Sequence, residues 1–380
     1  MSTKDSDYKK YVKRISNEKI PCYEPIIGKE EIINVNKVLK SNWISEGQNV
    51  RLFESKLSKI CNRKYALSFV NATSAMIVAM KVLGIGRGDE VIVPSFTHCA
   101  DPNAIAVTGA KPVFADVNKN TMLLDLKNIK KKITKKTKAI LFVSLYGNMD
   151  EIEKIQNFCK KNKIFLLNDS APALFSEYKN KPVASYGDCS FLSFFADKTI
   201  TTGEGGMLLS NNKKIIDMAN VYKHDGRKER GHDIILKQGY NFRFNEILAA
   251  IGLAQLKKYK KLIKRKIQIH KLYEKSFENI DKINLFKFNN NKIVPHRNII
   301  FYHNAKKMIK YLSSNGVGVR TLFMPMHSQP AYRYNGNYDN SKYLYKTGIC
   351  LPSAPTLKNN DILKIVKTIN IFIKNENITS

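Results

Sequence analysis

The stretch from Cys189 to Leu209, CSFLSFFADKTITTGEGGMLL, carries the pattern on which the fold prediction depends. The apolar run 189–194 predicts a buried strand, and 206–209 predicts a second one. Between the two strands stand Lys198, several small or hydroxylated residues and the glycine-rich segment 203–206. This segment lacks the GK[ST] ending of a phosphate-binding P-loop, so it predicts a tight turn at which two backbones approach closely.

The residues upstream of this stretch alternate between short β-rich runs and helical runs. Strands that alternate with helices indicate crossover connections and a mostly parallel sheet covered on both faces. In such α/β sheets, binding sites form beyond the carboxyl ends of the strands. The predicted strands are 65–70, 90–94, 112–116, 139–145 and 164–167, and the predicted helices are 73–83, 102–108 and 152–161.

The pattern changes downstream of the glycine-rich turn. One long helix is predicted over 245–276, followed by a smaller α+β unit with helices over 305–314 and 361–373. The length and this change of pattern predict two domains, a large one at 20–255 and a small C-terminal one at 256–380. The composition of residues 1–40 does not indicate where they pack.

The charge balance is strongly basic, since 64 Lys and Arg against 32 Asp and Glu give a formal net charge of +32. Such a chain suits either nucleic-acid binding or the attraction of an anionic substrate. Arg, the residue best suited to base and phosphate contacts, accounts for only 11 of the 64. The even spread of Lys and the lack of a recognised nucleic-acid-binding motif favour a compositional bias instead.

Composition also bears on location and metal content. No run of about 18 apolar residues is present, so the sequence predicts no membrane span. The charged segment from Met1 to Lys19 lacks the apolar region of a secretory signal. The six cysteines are scattered without a CxxC pair, which predicts reduced thiols rather than a disulfide or zinc framework. We therefore expect a cytoplasmic protein without a bound metal.

Three motifs at predicted strand ends carry residues suited to chemistry. The segment 71–76 is a strand-to-helix junction, where the helix N-terminus offers N–H groups to a phosphate. Asp169 ends a hydrophobic strand, so a pyridinium nitrogen would suit it as a cationic partner. Lys198 follows an apolar run and is a candidate Schiff-base lysine, with Ser193 placed to reach the same phosphate. For the first two motifs, an ordinary helix N-cap is the alternative. For the third, the alternative is that Lys198 is simply one of the 53 lysines of the chain.

Together, these motifs and their order resemble the sugar-nucleotide aminotransferases of the DegT/StrS family over roughly residues 20–373. The segments that carry the resemblance are 43–47, 53–54, 71–75, 88–97, 109–114, 169–171, 198–207, 239–244, 325–327 and 351–353. The resemblance implies an aspartate-aminotransferase-like (fold type I) α/β architecture, pyridoxal 5′-phosphate as cofactor and a homodimer with shared active sites. It also implies amino transfer from glutamate to C4 of a nucleotide-linked 4-keto-6-deoxyhexose, with amination at C3 as the alternative.

The resemblance further implies roles for individual residues. Lys198 would bond to the cofactor and move protons, while Asp169 would keep the ring nitrogen protonated and His98 would stack on the ring. Further implied cofactor contacts are Ala72, Thr73, Ala171, Ser193 and, from the other subunit, Asn241. The implied contacts to the sugar nucleotide are Arg243, Arg320 and His327, for each of which a surface or capping role is the alternative.

Four positions depart from the family pattern. Ala72 and Phe175 stand where glycine is common, and Asp197 replaces a usual Asn before the lysine. Pro172 stands where His, Gln or Glu usually approaches the phenolic oxygen of the cofactor, and proline cannot supply that contact. A related branch carries His in place of the lysine and acts as a dehydratase, so Lys198 argues for an aminotransferase.

Overall fold

The computed structural model describes residues 18–228, 231, 233–288 and 292–378. The predicted absence of a signal concerns residues that lie almost wholly outside these ranges. The strands are β1 (Tyr65–Phe69), β2 (Glu90–Pro94), β3 (Lys111–Ala115), β4 (Thr137–Val143), β5 (Phe165–Asp169), β6 (Glu177–Tyr178), β7 (Lys181–Pro182), β8 (Cys189–Ser193), β9 (Gly206–Ser210), β10 (Asn284–Leu285), β11 (Asn298–Phe301), β12 (Arg320–Thr321) and β13 (Gly348–Leu351).

The helices include every one that the sequence predicts, together with several that it does not. They are α1 (Lys29–Lys40), α2 (Gln48–Ile60), α3 (Ala72–Val82), α4 (Ala100–Val107), α5 (Leu126–Lys130), α6 (Ile152–Lys161), α7 (Lys213–Lys223), α8 (Glu246–Phe277), α9 (Ala305–Ser314), α10 (Asp339–Thr347) and α11 (Asn359–Ile378). The part of the chain described here contains no helix long and apolar enough to cross a membrane.

The large unit is built on a seven-stranded sheet with the order β1-β9-β8-β5-β4-β2-β3. Six strands share one direction, and β9 runs antiparallel to both of its neighbours. The mostly parallel α/β sheet confirms the predicted fold class. Because β1, β2, β5 and β8 point the same way, their carboxyl ends meet at one edge, where the predicted motifs follow them.

Both faces of this sheet are buried, as the continuous apolar strands require. Leu141 points to the face covered by α3, α4 and α7, where Met76 and Ile105 pack. The next residue, Phe142, points to the opposite face and packs with Ile155 of α6. Since side chains alternate along a strand, each strand contributes to both cores.

The smaller unit contains a four-stranded sheet with the order β10-β11-β13-β12, in which all strand pairs are antiparallel. Helix α8 belongs to both units, since Leu256 and Leu262 pack with the large unit and Ile269 packs with the small one. The helix therefore passes straight through the boundary at 255/256, which stays a prediction.

Candidate active site

A cavity of about 430 Å³ lies at the carboxyl edge of the large sheet, where the small unit faces it. Both units supply its walls, with Phe323 and Cys350 coming from the smaller one. Eight of the predicted site residues line this cavity: Ala72, Thr73, His98, Asp169, Ala171, Ser193, Lys198 and Arg320. The topology thus brings together residues that are widely separated in the sequence.

One wall of the cavity is the first turn of α3, which contains Ala72 and Thr73. Asn71 caps this helix, because its Oδ1 accepts a hydrogen bond of 2.8 Å from Ser74 N–H. The capping role and the predicted phosphate-binding role are therefore compatible. Strand β9 passes very close to this junction, since a Cβ on Gly206 would lie 2.2 Å from the backbone nitrogen of Ala72. Only glycine permits this approach.

Lys198 reaches the cavity from the loop between β8 and β9. The loop folds back on itself through hydrogen bonds from Thr202 N–H to Phe194 O at 3.0 Å and from Phe194 N–H to Gly205 O at 2.9 Å. Lys198 Nζ lies 3.7 Å from Asp197 Oδ1, and its side chain is 17% exposed. Lys198 therefore lines the cavity while most of its side chain is buried.

Asp197, one of the departures from the family pattern, has a second cationic partner. Its Oδ2 lies 2.5 Å from Arg297 Nη2, and Arg297 in turn stacks over the ring of Tyr23 at 5.4 Å. Arg297 is a residue of the site that the sequence analysis missed. Neither its spacing nor its neighbours in the sequence signal a contact with Asp197, which lies a hundred positions earlier.

Asp169 is the last residue of β5 and is 8% exposed. Its Oδ1 accepts a hydrogen bond of 2.9 Å from Ala171 N–H. Burial raises the pKa of Asp169, while the Ala171 N–H and the charge of Lys198 act against that rise. A second carboxyl group, that of Asp101, lies beside it and was also missed. The signal for it was the spacing of Thr97 and Asp101 at positions i and i+4.

His98 lies on the cavity wall after β2. Its Nδ1 accepts a hydrogen bond of 3.2 Å from Ala100 N–H, which fixes the ring. The ring meets Phe323 edge to face, with 5.6 Å between centroids. Desolvation and the nearby charge of Lys198 lower the pKa of His98. A neutral imidazole at this position can stack on a planar ligand, as the resemblance implies.

A buried lysine lies behind the cavity. Lys266 is 4% exposed, and its Nζ donates to the carbonyl oxygens of His296 at 3.3 Å and Ser353 at 3.2 Å. Burial and the charge of Arg297 lower the pKa of Lys266 to about 7. Since its hydrogen-bond partners carry no negative charge that would offset its burial, this side chain loses its proton more readily than an exposed lysine.

Three predicted site residues lie outside the cavity lining. Asn241 is exposed, and Arg243 Nη1 donates to Asp225 Oδ2 at 2.7 Å. His327 is 5% exposed, shares a hydrogen bond of 2.6 Å with Ser95 Oγ and stacks on Tyr338. The roles proposed for these three residues stay predictions.

The structure shows what two of the departures from the family pattern, Phe175 and Pro172, do locally. Phe175 has φ of +74°, a left-handed conformation that costs a bulky residue free energy, which explains why glycine is common at this position. Its ring stacks on Tyr259 of α8 with 4.7 Å between centroids, and this contact offsets the strain. Pro172 lines the cavity and brings no polar side-chain atom to it.

All six cysteines are unpaired. Within the described ranges, no group of three or more His, Cys, Asp or Glu side chains could hold a metal ion.

Comparisons with known proteins agree with this geometry. The family model described as the DegT/DnrJ/EryC1/StrS aminotransferase family matches residues 25–370. The GDP-perosamine synthase of Escherichia coli O157:H7 is 37% identical over 365 residues, which cover 93% of this chain and 98% of that protein. The chain therefore belongs to this family, which confirms the resemblance and the predicted aminotransferase activity.

Solved structures show the same fold. Helicobacter pylori PseC, an aminotransferase involved in the biosynthesis of pseudoaminic acid, matches with a TM-score of 0.89 at 28% identity, covering 94% of this chain and 99% of that chain. Spr1654 from Streptococcus pneumoniae, solved in a PLP-form, matches with a TM-score of 0.86 at 27% identity, covering 92% of this chain and 97% of that chain.

Proposed function

We propose that this member of the DegT/DnrJ/EryC1/StrS aminotransferase family transfers an amino group from glutamate to C4 of a nucleotide-linked 4-keto-6-deoxyhexose, with pyridoxal 5′-phosphate as cofactor. The observation that carries the proposal is the convergence of Lys198, Asp169 and the first turn of α3 on one cavity. The name of the Escherichia coli relative supports the sugar-nucleotide substrate. The PLP-form of the Streptococcus pneumoniae protein supports the cofactor.

The polar groups of the cavity fit this cofactor. The first turn of α3 offers backbone N–H groups and a positive dipole end to the phosphate at Ala72 and Thr73. Ser193 Oγ accepts from Phe195 N–H at 3.3 Å, which leaves its own proton to donate. The buried carboxyl of Asp169 suits a protonated ring nitrogen. When bound, the cofactor supplies an electron sink for the carbanion that amino transfer requires.

The residues of this chain supply the proton transfers and the orientation. Lys198 Nζ takes a proton from the amino-acid carbon and returns one in the reverse half-reaction, which is general acid–base catalysis. The Asp197 carboxylate, 3.7 Å away, attracts the protonated amine between these transfers. Asp169 keeps the ring nitrogen protonated, and His98 packs against the ring face.

We also propose a homodimer in which each subunit completes the site of the other. Residues of the segment 27–52 leave large apolar side chains exposed, including Trp43 at 56% and Ile32 at 57%. A further exposed run is Ile234 at 70% and Ile235 at 61%, in the same loop as Asn241. Exposed large apolar side chains of this kind suit an interface. Asn241, which does not line the cavity of its own subunit, would in such a dimer contact the cofactor phosphate of the partner.

Mixed subunits test this sharing of the site. Lys198→Ala and Asn241→Ala variants, each inactive alone, should regain activity when refolded together. One site of the mixed dimer then has both Lys198 and the partner's Asn241. If Asn241 acts within its own subunit, neither site is complete and mixing restores nothing, which would refute the shared site.

A substrate panel tests the reaction itself. The purified enzyme is incubated with glutamate and GDP-, UDP- or dTDP-linked 4-keto-6-deoxyhexoses, and the products are identified by mass spectrometry and NMR. We expect a mass change for replacement of C=O by CH–NH₂, with nitrogen at C4, and no product with the Lys198→Ala variant. A product aminated at C3 would refute the position, and no product with any sugar would refute the substrate class.

A further inference from the structure

The carboxyl group of Asp101 has no place in the reaction described so far, although it is one of the most deeply buried in the molecule. Asp101 lies in the first turn of α4 and is 0% exposed. Its Oδ2 accepts a hydrogen bond from Thr97 Oγ1. Its Oδ1 is buried and has no hydrogen-bond donor among the residues that the structure describes. A buried acceptor in this state is costly, so Oδ1 calls for an explanation.

The carboxyl group of Asp169 lies within hydrogen-bonding reach of that of Asp101. Among the described residues, Oδ1 is the oxygen of Asp101 that still lacks a partner. Two carboxylates this close in a buried site cannot both be ionised, so the pair holds a proton between them. A single proton on Asp101 Oδ1 turns the unsatisfied atom into a donor and Asp169 into its acceptor.

The surroundings of the two groups decide which of them keeps the proton. The anionic form of Asp169 is stabilised by the Ala171 N–H and by the nearby charge of Lys198. Asp101 receives only the Thr97 hydroxyl, the positive end of the short helix α4 and a weaker influence of Lys198. Burial and the charge of Asp169 raise the pKa of Asp101 well above its ordinary value.

We propose that Asp101 is a positioning residue: as a neutral carboxylic acid it donates a hydrogen bond from Oδ1 to Asp169, and so holds the Asp169 carboxylate ionised and directed into the cavity. The inference rests on the proposed function in one respect, since the ligand that Asp169 meets is the cofactor ring nitrogen. Thr97 then donates a hydrogen bond to Asp101, and Asp101 donates one to Asp169.

Infrared difference spectroscopy between the wild type and Asp101→Asn, both without cofactor, tests the protonation state of Asp101 directly. We expect the wild type at neutral pH to show the carbonyl band of a protonated carboxylic acid, which shifts in D₂O. The Asp101→Asn variant should lack that band. A wild-type spectrum without it, or a band that survives in Asp101→Asn, would overturn the proposal. This measurement needs neither cofactor nor substrate, so its failure is distinguishable from failure of the proposed function.

A matched pair of variants tests the positioning role. In Asp101→Asn, the amide can accept from Thr97 and donate to Asp169, so the dissociation constant for pyridoxal 5′-phosphate should stay within about threefold of wild type. Asp101→Leu has a similar volume and no donor, so the constant should rise about tenfold or more. Equal affinities of the two variants would show that the hydrogen bond does not matter. Thermal melts of both proteins without cofactor establish that each is folded.

The pH dependence of the bound cofactor gives a readout that a purely structural role would not move. In Asp101→Leu, Asp169 loses its donor and holds its own proton more readily, so the midpoint of the cofactor's visible absorbance change should differ from wild type. In Asp101→Asn, it should be close to wild type. A midpoint shared by all three proteins would count against the proposal.

Discussion

Two clusters of buried charge in this molecule differ in how completely they are satisfied. In the first, Glu46 accepts hydrogen bonds from Lys223 and His224, each at 3.0 Å, and the Lys223 side chain is 0% exposed. Burial alone would raise the pKa of Glu46, yet the His224 hydrogen bond and the Lys223 charge together lower it to about 2. This cluster ties the segment before α2 to the end of α7.

The second cluster lies at the cavity and is left incomplete. Asp101 Oδ1, Asp197 Oδ1 and His296 Nδ1 are each buried without a hydrogen-bond partner among the described residues. Proteins ordinarily satisfy such atoms, so three of them close to one cavity fit a site arranged for a ligand or a proton, although within the described ranges Arg227 Nε and His327 Nε2 lack partners as well and do not line it. The comparison teaches that burial of charge does not by itself indicate function, and that missing partners strengthen the argument where several of them lie close to one cavity.

The largest expected effect comes from removing the amine of Lys198 at the cavity. Lys198→Ala should lower kcat by about 10⁴-fold, because the proton carrier of both half-reactions is lost. The absorbance shift on binding pyridoxal 5′-phosphate should disappear while the thermal melt stays close to wild type. Lys181→Ala, which changes an exposed lysine on β7, is the control and should behave as wild type. Normal turnover by the Lys198→Ala protein would remove the basis of the assignment.

The next largest effect concerns the carboxylate of Asp169 at the same cavity. Asp169→Asn should lower kcat by about 10³-fold, because a neutral amide does not hold the ring nitrogen protonated. Steady-state kinetics with glutamate and the accepted sugar nucleotide would measure it. Near-normal turnover would contradict the role given to Asp169, whatever the result for Lys198.

Removing a charge from the first cluster, that of Glu46, Lys223 and His224, should lower the stability of the folded protein. Glu46→Gln leaves the Lys223 ammonium buried without its counter-charge, so the free energy of unfolding should fall by about 3 kcal/mol. Urea denaturation at a fixed protein concentration would measure the loss. The control is Glu30→Gln, which breaks an exposed pair of 2.7 Å with Lys257 and should cost under about 1 kcal/mol. Equal losses of unfolding free energy in the two variants would contradict the expected difference between a buried and an exposed ion pair.

The smallest effect, taken per pH unit, is a change in the pH dependence of stability. Lys266 has a pKa of about 7 in the folded protein and 10.5 as its ordinary value, so the unfolded chain binds more protons between these limits. Wild-type stability relative to Lys266→Met should therefore rise with pH from 7 to 10, by at most about 1.4 kcal/mol per unit. Urea melts of both proteins at pH 7, 8 and 9 give the difference. A difference that does not vary with pH would refute the lowered pKa.

The elements of the large sheet could be predicted because their signals are local. The predicted strand 90–94 and helix 152–161 match β2 and α6 without a shift, since Pro94, turn residues and apolar periodicity delimit them. Helix α1 was not predicted, because its packing against α8 is decided by tertiary contacts. The two-residue strands β10 and β12 are too short to leave a periodic pattern.

The site was predictable where one residue follows a strand, as Asp169 and Lys198 do. It was not predictable where two distant residues act on each other. Asp101 and Asp169 come from different strand ends, and Asp197 meets Arg297 across the two units. Sequence spacing reports neighbours along a helix or strand and contains no distance between such pairs. For the same reason, it did not reveal that His327 turns towards Ser95.

Helix α8 has a mechanical consequence. Its 32 residues form one rod about 48 Å long, anchored at one end in the core of the large unit and at the other in that of the small unit. The change of anchorage falls between Leu262 and Ile269, where Lys266 is buried. Because both units also wall the cavity, any change in their relative position would have to be accommodated along this one helix.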